Sequence, residues 1–276
     1  MTEPVGDPIK TEYQIHMLAQ AAEILFELFS EIEALIRPGC TGIEVQDHAL
    51  QYFTQKNAVS ALRNYRGFHA DISISVNDTA AHGLPNARAF KQGDIVTVDS
   101  AISYRGYYGD MAWTFGIPPI GVNGRRLIAA AWRSCIAGCL KLQAGSSMTA
   151  LGNTVINTAE TLGGRVVNEF CGHGIGRNLH EFPLIPYISK PHTSENSEEW
   201  KFRRGMVLNV EPVVTFDDPS IIQSDDGMSY IIKNGNAAAQ FELTCAITDN
   251  KPRFLSLPGM SITDNLEYPP RLHSEL

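Results

Sequence analysis

The sequence has no apolar run that reaches the ~18 residues a membrane-crossing helix needs, so no spanning segment is expected. Its opening residues, MTEPVGDPIKTEYQ, carry no apolar signal core either, and a cytoplasmic location is the expectation. Basic residues are scarce. Lysine and arginine total 22 against 30 aspartates and glutamates, a formal charge of -8, and no basic cluster extends beyond a pair such as Arg203-Arg204. That excludes the footprint of a nucleic-acid binder and gives no attraction to anionic membranes. Five cysteines (Cys40, Cys135, Cys139, Cys171 and Cys245) are odd in number and scattered, which is poor material for a disulfide framework. Cys135 and Cys139 stand at i,i+4 and read as buried thiols on an apolar helix face rather than as a metal site.

What remains is ordinary globular material: 276 residues, 43% hydrophobic and 19% charged, long enough to bury a substantial core. Met17, Ala21, Ile24, Leu25, Leu28 and Ile32 mark one helical stripe within 11–37, which Pro38-Gly39 ends. Further helices are expected at about 43–56, 124–142 and 149–162, with strands around 72–76, 94–102 and 107–115. The remainder to 250 reads mostly as strands and loops. The two helix pairs share one plan, with Gly145 standing where Gly39 stood 106 residues earlier, which suggests two similar α+β halves with a cleft between them. The tail NLEYPPRLHSEL, 265–276, has no periodicity and reads as a loose extension.

The stretch VDSAISYRGYYGDMA raises a physical difficulty. A four-residue loop at Ser103–Gly106 pairs Ile102 with Tyr107 and sets Asp99 directly opposite Asp110. Two facing carboxylates repel, unless a cation sits between them. Glu211 interrupts the apolar run of RGMVLNVEPVVTF, and Glu242 lies in the alternating AAQFELTCAIT. A glutamate in a core strand is costly unless paired or metal-bound. Two histidines, His173 and His180, belong to the glycine-rich CGHGIGRNLHEFP, whose glycines allow close approach and unusual dihedrals. Four carboxylates with an imidazole suit cations of the Mn, Fe, Co or Zn kind, and two such ions neutralise four acids better than one.

YRGFHADISISVNDTAAHGLP, GDIVTVDSAISYRGYYGDMAWTF, CGHGIGRNLHEFP, GMVLNVEPVV and QFELT together resemble the type I methionine aminopeptidases, over about residues 8–250. The resemblance implies the α+β pita-bread fold of two pseudo-symmetric halves, in a single metallo-aminopeptidase domain spanning 1–276. It implies two divalent metal ions (Co, Mn, Fe or Zn) held by Asp99, Asp110, His173, Glu211 and Glu242. Glu211 is then also the proton carrier, His180 the donor to the substrate carbonyl and His82 the contact to the leaving nitrogen. The partners implied are peptide or nascent-protein N-termini, with no nucleic acid and no membrane, and a monomer is the expected state. Proline-specific relatives share the ligand set but lack the YxGF and HGxP elements.

There are departures. Met111-Ala112 follow Asp110 where the family usually has a pair such as Thr-Ser, Leu243 replaces a common histidine, and His69 replaces a proline. These spare the ligands but are expected to touch the groups that support them. In the side-chain pocket Tyr65 and Phe68 keep aromatic positions. Leu62 stands where a thiol is common, Leu179 replaces a phenylalanine, and Met228 matches a tryptophan. Two alternatives stay open on the sequence: an aminopeptidase with another residue preference or a specialised peptide, and a non-catalytic homologue that only binds.

Overall fold

The computed structural model describes residues 7–188, 200–259 and 266–272. Residues 1–6 of the opening stretch, and 265 and 273–276 of the tail, lie outside these. Helix α1 spans Glu12–Leu35 and opens with a capping box, in which Thr11 and Gln14 satisfy each other's backbone N–H groups. All six stripe residues are buried. Helix α2, Gly42–Lys56, begins with a second capping box between Thr41 and Glu44 and stops at a left-handed Asn57. Helices α3 (Val122–Leu140) and α4 (Met148–Thr161) form the second pair, with Ser147 capping α4. No helix among the described residues is long and apolar enough to cross a membrane.

The duplication is visible in hydrogen bonds. Gly39 N–H donates to Phe90 O at 3.0 Å, and Phe90 N–H returns to Cys40 O at 2.7 Å. In the second half Gly145 N–H donates to Phe202 O at 2.9 Å, and Phe202 N–H returns to Ser146 O at 2.8 Å. Both glycines are left-handed, at φ 91° and 88°, which a side chain would strain. Isolated bridges then match as well, Thr41 with Ala89 and Ser147 with Lys201. Beyond each bridge a strand leads to an acid: Ile95–Tyr104 contains Asp99, and Val207–Val210 ends just before Glu211.

The first half's sheet is built on Ile95–Tyr104, antiparallel to Tyr107–Gly116 on one side and to Ser73–Val76 and Val59–Ser60 on the other. The second half's five-stranded sheet runs Arg253–Phe254, Leu243–Ala246, Val207–Val210, Cys171–Gly174, Glu181–Pro186. Two seams join the halves. Glu242 bridges Ala112, its N–H donating to Ala112 O at 2.9 Å. Thr79–Ala81 pairs with Tyr230–Ile232, one edge of a small sheet. Beneath the first seam Trp113, Trp132 and Phe241 pack with ring centroids 5.1 to 5.3 Å apart.

The described tail is not loose. Leu272 is 5% exposed and its N–H donates to Glu33 on α1 at 2.9 Å, while Glu267 pairs with Arg133 on α3 at 3.0 Å. Pro-Pro removes helical and strand periodicity but does not prevent docking through one apolar side chain.

Candidate metal centre

The hairpin turns on two residues, not four. Arg105 and Gly106 both have positive φ, at 50° and 79°, as a tight two-residue hairpin requires. Tyr104 therefore pairs with Tyr107, Asp99 with Ala112, and Asp110 with Ala101. The expected register is wrong by two residues. Because side chains alternate with period two, an even shift leaves both aspartates on one face, as diagonal rather than direct neighbours.

Across the seam that face meets the other half. Asp110, His173 and Glu242 are all buried, and one ligand atom from each lies within 4.8 Å of the others. His173 Nε2 is 3.2 Å from Glu211 Oε1 and 3.6 Å from both Asp110 Oδ2 and Glu242 Oε1. Its other nitrogen, Nδ1, lies 3.0 Å from Gly174 O. A carbonyl only accepts, so Nδ1 carries a proton; in the metal-free protein Nε2 is protonated as well and faces the acids, and once it loses that proton its lone pair is free for a cation. Burial, and then the charges of Glu242 and Glu211, push Asp99 well above the ordinary carboxylate range. Burial and the charges of Glu242 and Asp99 do the same to Asp110. Glu211 is pushed up to about 7 by burial and by Glu242, against the pull of His173. Among the described residues no lysine or arginine pairs with any of the four; Asp110, Glu211 and Glu242 have His173 as their ion-pair partner. An N/O donor set with this excess of negative charge fits a divalent cation.

Supporting groups are also in place. Buried Asn209 donates Nδ2 to Glu242 Oε1 at 2.8 Å, and Glu211 N–H donates to the buried Tyr187 hydroxyl at 2.7 Å. Asn209 could have been found from the sequence, since it precedes Glu211 by two and shares its face. The departures behave differently from expectation. Met111 and Leu243 alternate away from the acids into the main core, both fully buried. His69 is exposed and offers only its carbonyl, to Arg63. Of the four departing residues, Ala112 alone stays on the site face.

His180 stacks on Tyr65, with ring centroids 5.3 Å apart, and its Nδ1 lies 2.7 Å from the Tyr65 hydroxyl. Its ring is 4.2 Å from that of His173. Burial, then the charges of His173 and Arg66, lower its pKa to about 2, so the ring is neutral. With the phenol as donor, Nε2 holds the proton and can donate into the cleft. The loop carrying His180 is pinned from a distant part of the chain. Buried Glu181 takes Lys10 Nζ at 2.5 Å and Asn178 N–H at 3.0 Å. A Cβ on Gly176 would meet that carboxylate at 2.5 Å. None of Gly172, Gly174 and Gly176 is left-handed; close approach, rather than an unusual dihedral, accounts for Gly176.

His82 has a solvent-open edge, yet Phe170 and Tyr230 flank its ring at 5.7 and 5.6 Å. That enclosure, and then Arg66, hold its pKa below the usual histidine range. Nothing in the sequence linked Phe170 or Tyr230 to His82. Leu62, Tyr65 and Leu179 belong to one apolar cluster, but Leu179 is only 2% exposed and so is not an open wall. The Met228 methyl lies 3.9 Å from where Gly67 would carry a Cβ, beside the Tyr65–Gly67 turn; Phe68, next along, is buried.

The metallopeptidase family M24 profile matches residues 16–249. The chain belongs to this family. It is 33% identical over 249 residues to a methionine aminopeptidase of Clostridium perfringens, covering 90% of this chain and 98% of that one. To the methionine aminopeptidase of Escherichia coli it is 30% identical over 251 residues, covering 90% and 93%. The crystal structure of a methionine aminopeptidase from Thermotoga maritima superposes with a TM-score of 0.85 at 31% identity, over 90% of this chain and 98% of that one. The M24 protein described here thus has the pita-bread fold and belongs to a family of metal-dependent peptidases.

A carboxylate cluster in this M24 protein ties metal-free stability to pH. Asp99, Asp110 and Glu211 have raised folded pKa values, so the metal-free fold holds their protons more tightly than the unfolded chain does. His173 is also raised, through its hydrogen bonds to Glu211 and Glu242 against desolvation, and stabilises the fold in its charged form. Both effects favour acid: the Glu211 contribution fades as pH rises through about 7, and those of Asp99, Asp110 and His173 fade as pH rises through their raised values. The metal-stripped protein is expected to lose thermal stability from pH 5.5 to 8, while the gain on adding metal grows. Melting curves of stripped and loaded protein test this; a gain that shrinks with pH contradicts it.

Proposed function

We propose that this protein is a type I methionine aminopeptidase, removing the N-terminal methionine from peptides or nascent proteins by metal-dependent hydrolysis. The observation that carries the reading is the convergence of Asp110, Glu211 and Glu242 on His173 Nε2, with no lysine or arginine among the described residues paired to them. Asp99, Asp110, His173, Glu211 and Glu242 would hold two divalent ions, of the Mn, Fe, Co or Zn kind. When bound, such ions supply Lewis acidity and lower the pKa of a water toward neutrality.

The side chains divide the remaining work. Glu211 accepts the attacking water's proton and returns it to the leaving amine. His180, neutral and backed by Tyr65, donates to the carbonyl oxygen as that atom gains charge. His82, also held neutral, contacts the leaving nitrogen. Release of methionine from Met-Ala-Ser by metal-loaded protein tests the reading; no release under any of the four metals rejects it.

The pocket supports a relaxed preference. Leu62 beside Tyr65 narrows one wall, while flexible Met228 at the Tyr65–Gly67 turn repacks easily. An apolar pocket discriminates by only ~1–3 kcal/mol per methylene, so changes of this size re-rank substrates. Methionine is accepted, but its lead over leucine or a bulkier residue is smaller than a thousandfold. Comparing kcat/KM for Met-, Leu- and Phe-starting peptides decides this, and a strict thousandfold lead sinks it.

A further inference from the structure

The turn that carries Tyr65 also carries an arginine that the reaction above does not use. Arg66 sits in a left-handed conformation, φ 48° and ψ 31°, between left-handed Asn64 at 65° and Gly67 at 86°. That is uncommon for a residue with a side chain, and three such positions in four residues fix the direction in which it leaves the backbone. Its guanidinium lies over the Tyr65 ring, 5.3 Å from the centroid, and the same Tyr65 is bonded to His180. Through Tyr65 the guanidinium stands beside His180, and its charge also acts on His82.

Among the described residues the Arg66 partner is an aromatic face and not a carboxylate. Arg63, three residues earlier, shows the contrast: it holds Asp71 with Nε at 2.8 and 2.9 Å from the two carboxylate oxygens. Arg66 is exposed, and no hydrogen bond to another described residue occupies its donors. A guanidinium presents paired N–H groups in a plane that matches a carboxylate. The chain's net charge of -8 gives an approaching anion little general attraction. Arg66 reverses that sign locally, on the side of the two histidines assigned to the carbonyl and the leaving nitrogen.

We infer that Arg66 is a specificity-determining residue that binds a substrate carboxylate on the leaving-group side of the scissile bond. This rests on the aminopeptidase reading. The carboxylate comes either from an acidic side chain downstream of the methionine or from the free C-terminus of a short peptide. Because Arg66 is exposed, the effect is modest, roughly five- to tenfold in kcat/KM, expressed in KM and weakened by salt.

Two substrate pairs test this with the metal-loaded full chain. Met-Ala-Glu-Gly-amide against Met-Ala-Gln-Gly-amide reads the side chain; Met-Ala against Met-Ala-amide reads the terminus. The wild type should favour the carboxylate-bearing member of at least one pair by about five- to tenfold. R66Q should bring the two members of that pair to the same kcat/KM, and R66K should keep part of the difference. Equal cleavage within both pairs by the wild type, or a preference that survives R66Q, overturns the role of Arg66 and leaves the hydrolytic reading standing. Cleavage of none of the four overturns that reading, and this inference with it.

Discussion

Glu242→Gln is expected to lower turnover by ~10³-fold or more and to reduce the metal bound per chain, while the protein stays folded. Glu242 sits where the halves meet. Its N–H donates to Ala112 O, its carboxylate takes Asn209 Nδ2 at 2.8 Å, and Oε1 lies 3.6 Å from His173 Nε2. Glutamine keeps the shape and the backbone bridge but turns an anionic ligand into a neutral amide. The sign of the stability change separates a metal site from a structural ion-pair cluster. In a cluster built around His173, losing a charge weakens the fold. In a site built for a cation, removing one of four crowded carboxylates relieves repulsion, so the stripped variant should melt above the stripped wild type. Metal analysis and melting curves read both; unchanged metal content and turnover contradict the assignment.

His180→Ala is expected to cut kcat by a factor on the order of 10² to 10³, as loss of a donor to a developing oxyanion does. Metal content should stay nearly intact, because the His180 ring is 4.2 Å from His173 but its Nδ1 is engaged by Tyr65. Loss of metal in this variant would make His180 a ligand and the role given to it wrong. Tyr65→Phe should fall between the wild type and His180→Ala in kcat, since it leaves the imidazole in place but removes the group that fixes its tautomer.

Much of this was legible because it is local. The α1 stripe repeats with the helical period and Pro38-Gly39 marks its end. The four acids stood out because a buried strand position does not tolerate an unpaired carboxylate. The hairpin register was misread because Arg105 at positive φ is not signalled by its residue type, whereas the shared face survived because the error was even. Lys10 and Glu181 are 171 residues apart in the chain, and no pattern in either neighbourhood announces that one pins the other. The same holds for Tyr230, which reaches His82 through the pairing of Thr79–Ala81 with Tyr230–Ile232, and for Phe170, whose ring meets both. Met111 and Leu243 looked like changes around the ligands, yet strand alternation sends both into the core.

The central claim is that the acids gathered around His173 hold metal for hydrolysis at a peptide's N-terminus. Its most direct measurement is methionine release from Met-Ala-Ser by chelator-stripped protein, titrated with Mn, Fe, Co or Zn while bound metal is counted. The account predicts no release from the stripped chain and recovery that saturates as the metal bound approaches two ions per chain. Release that persists without metal, or metal that binds and restores nothing, would contradict it.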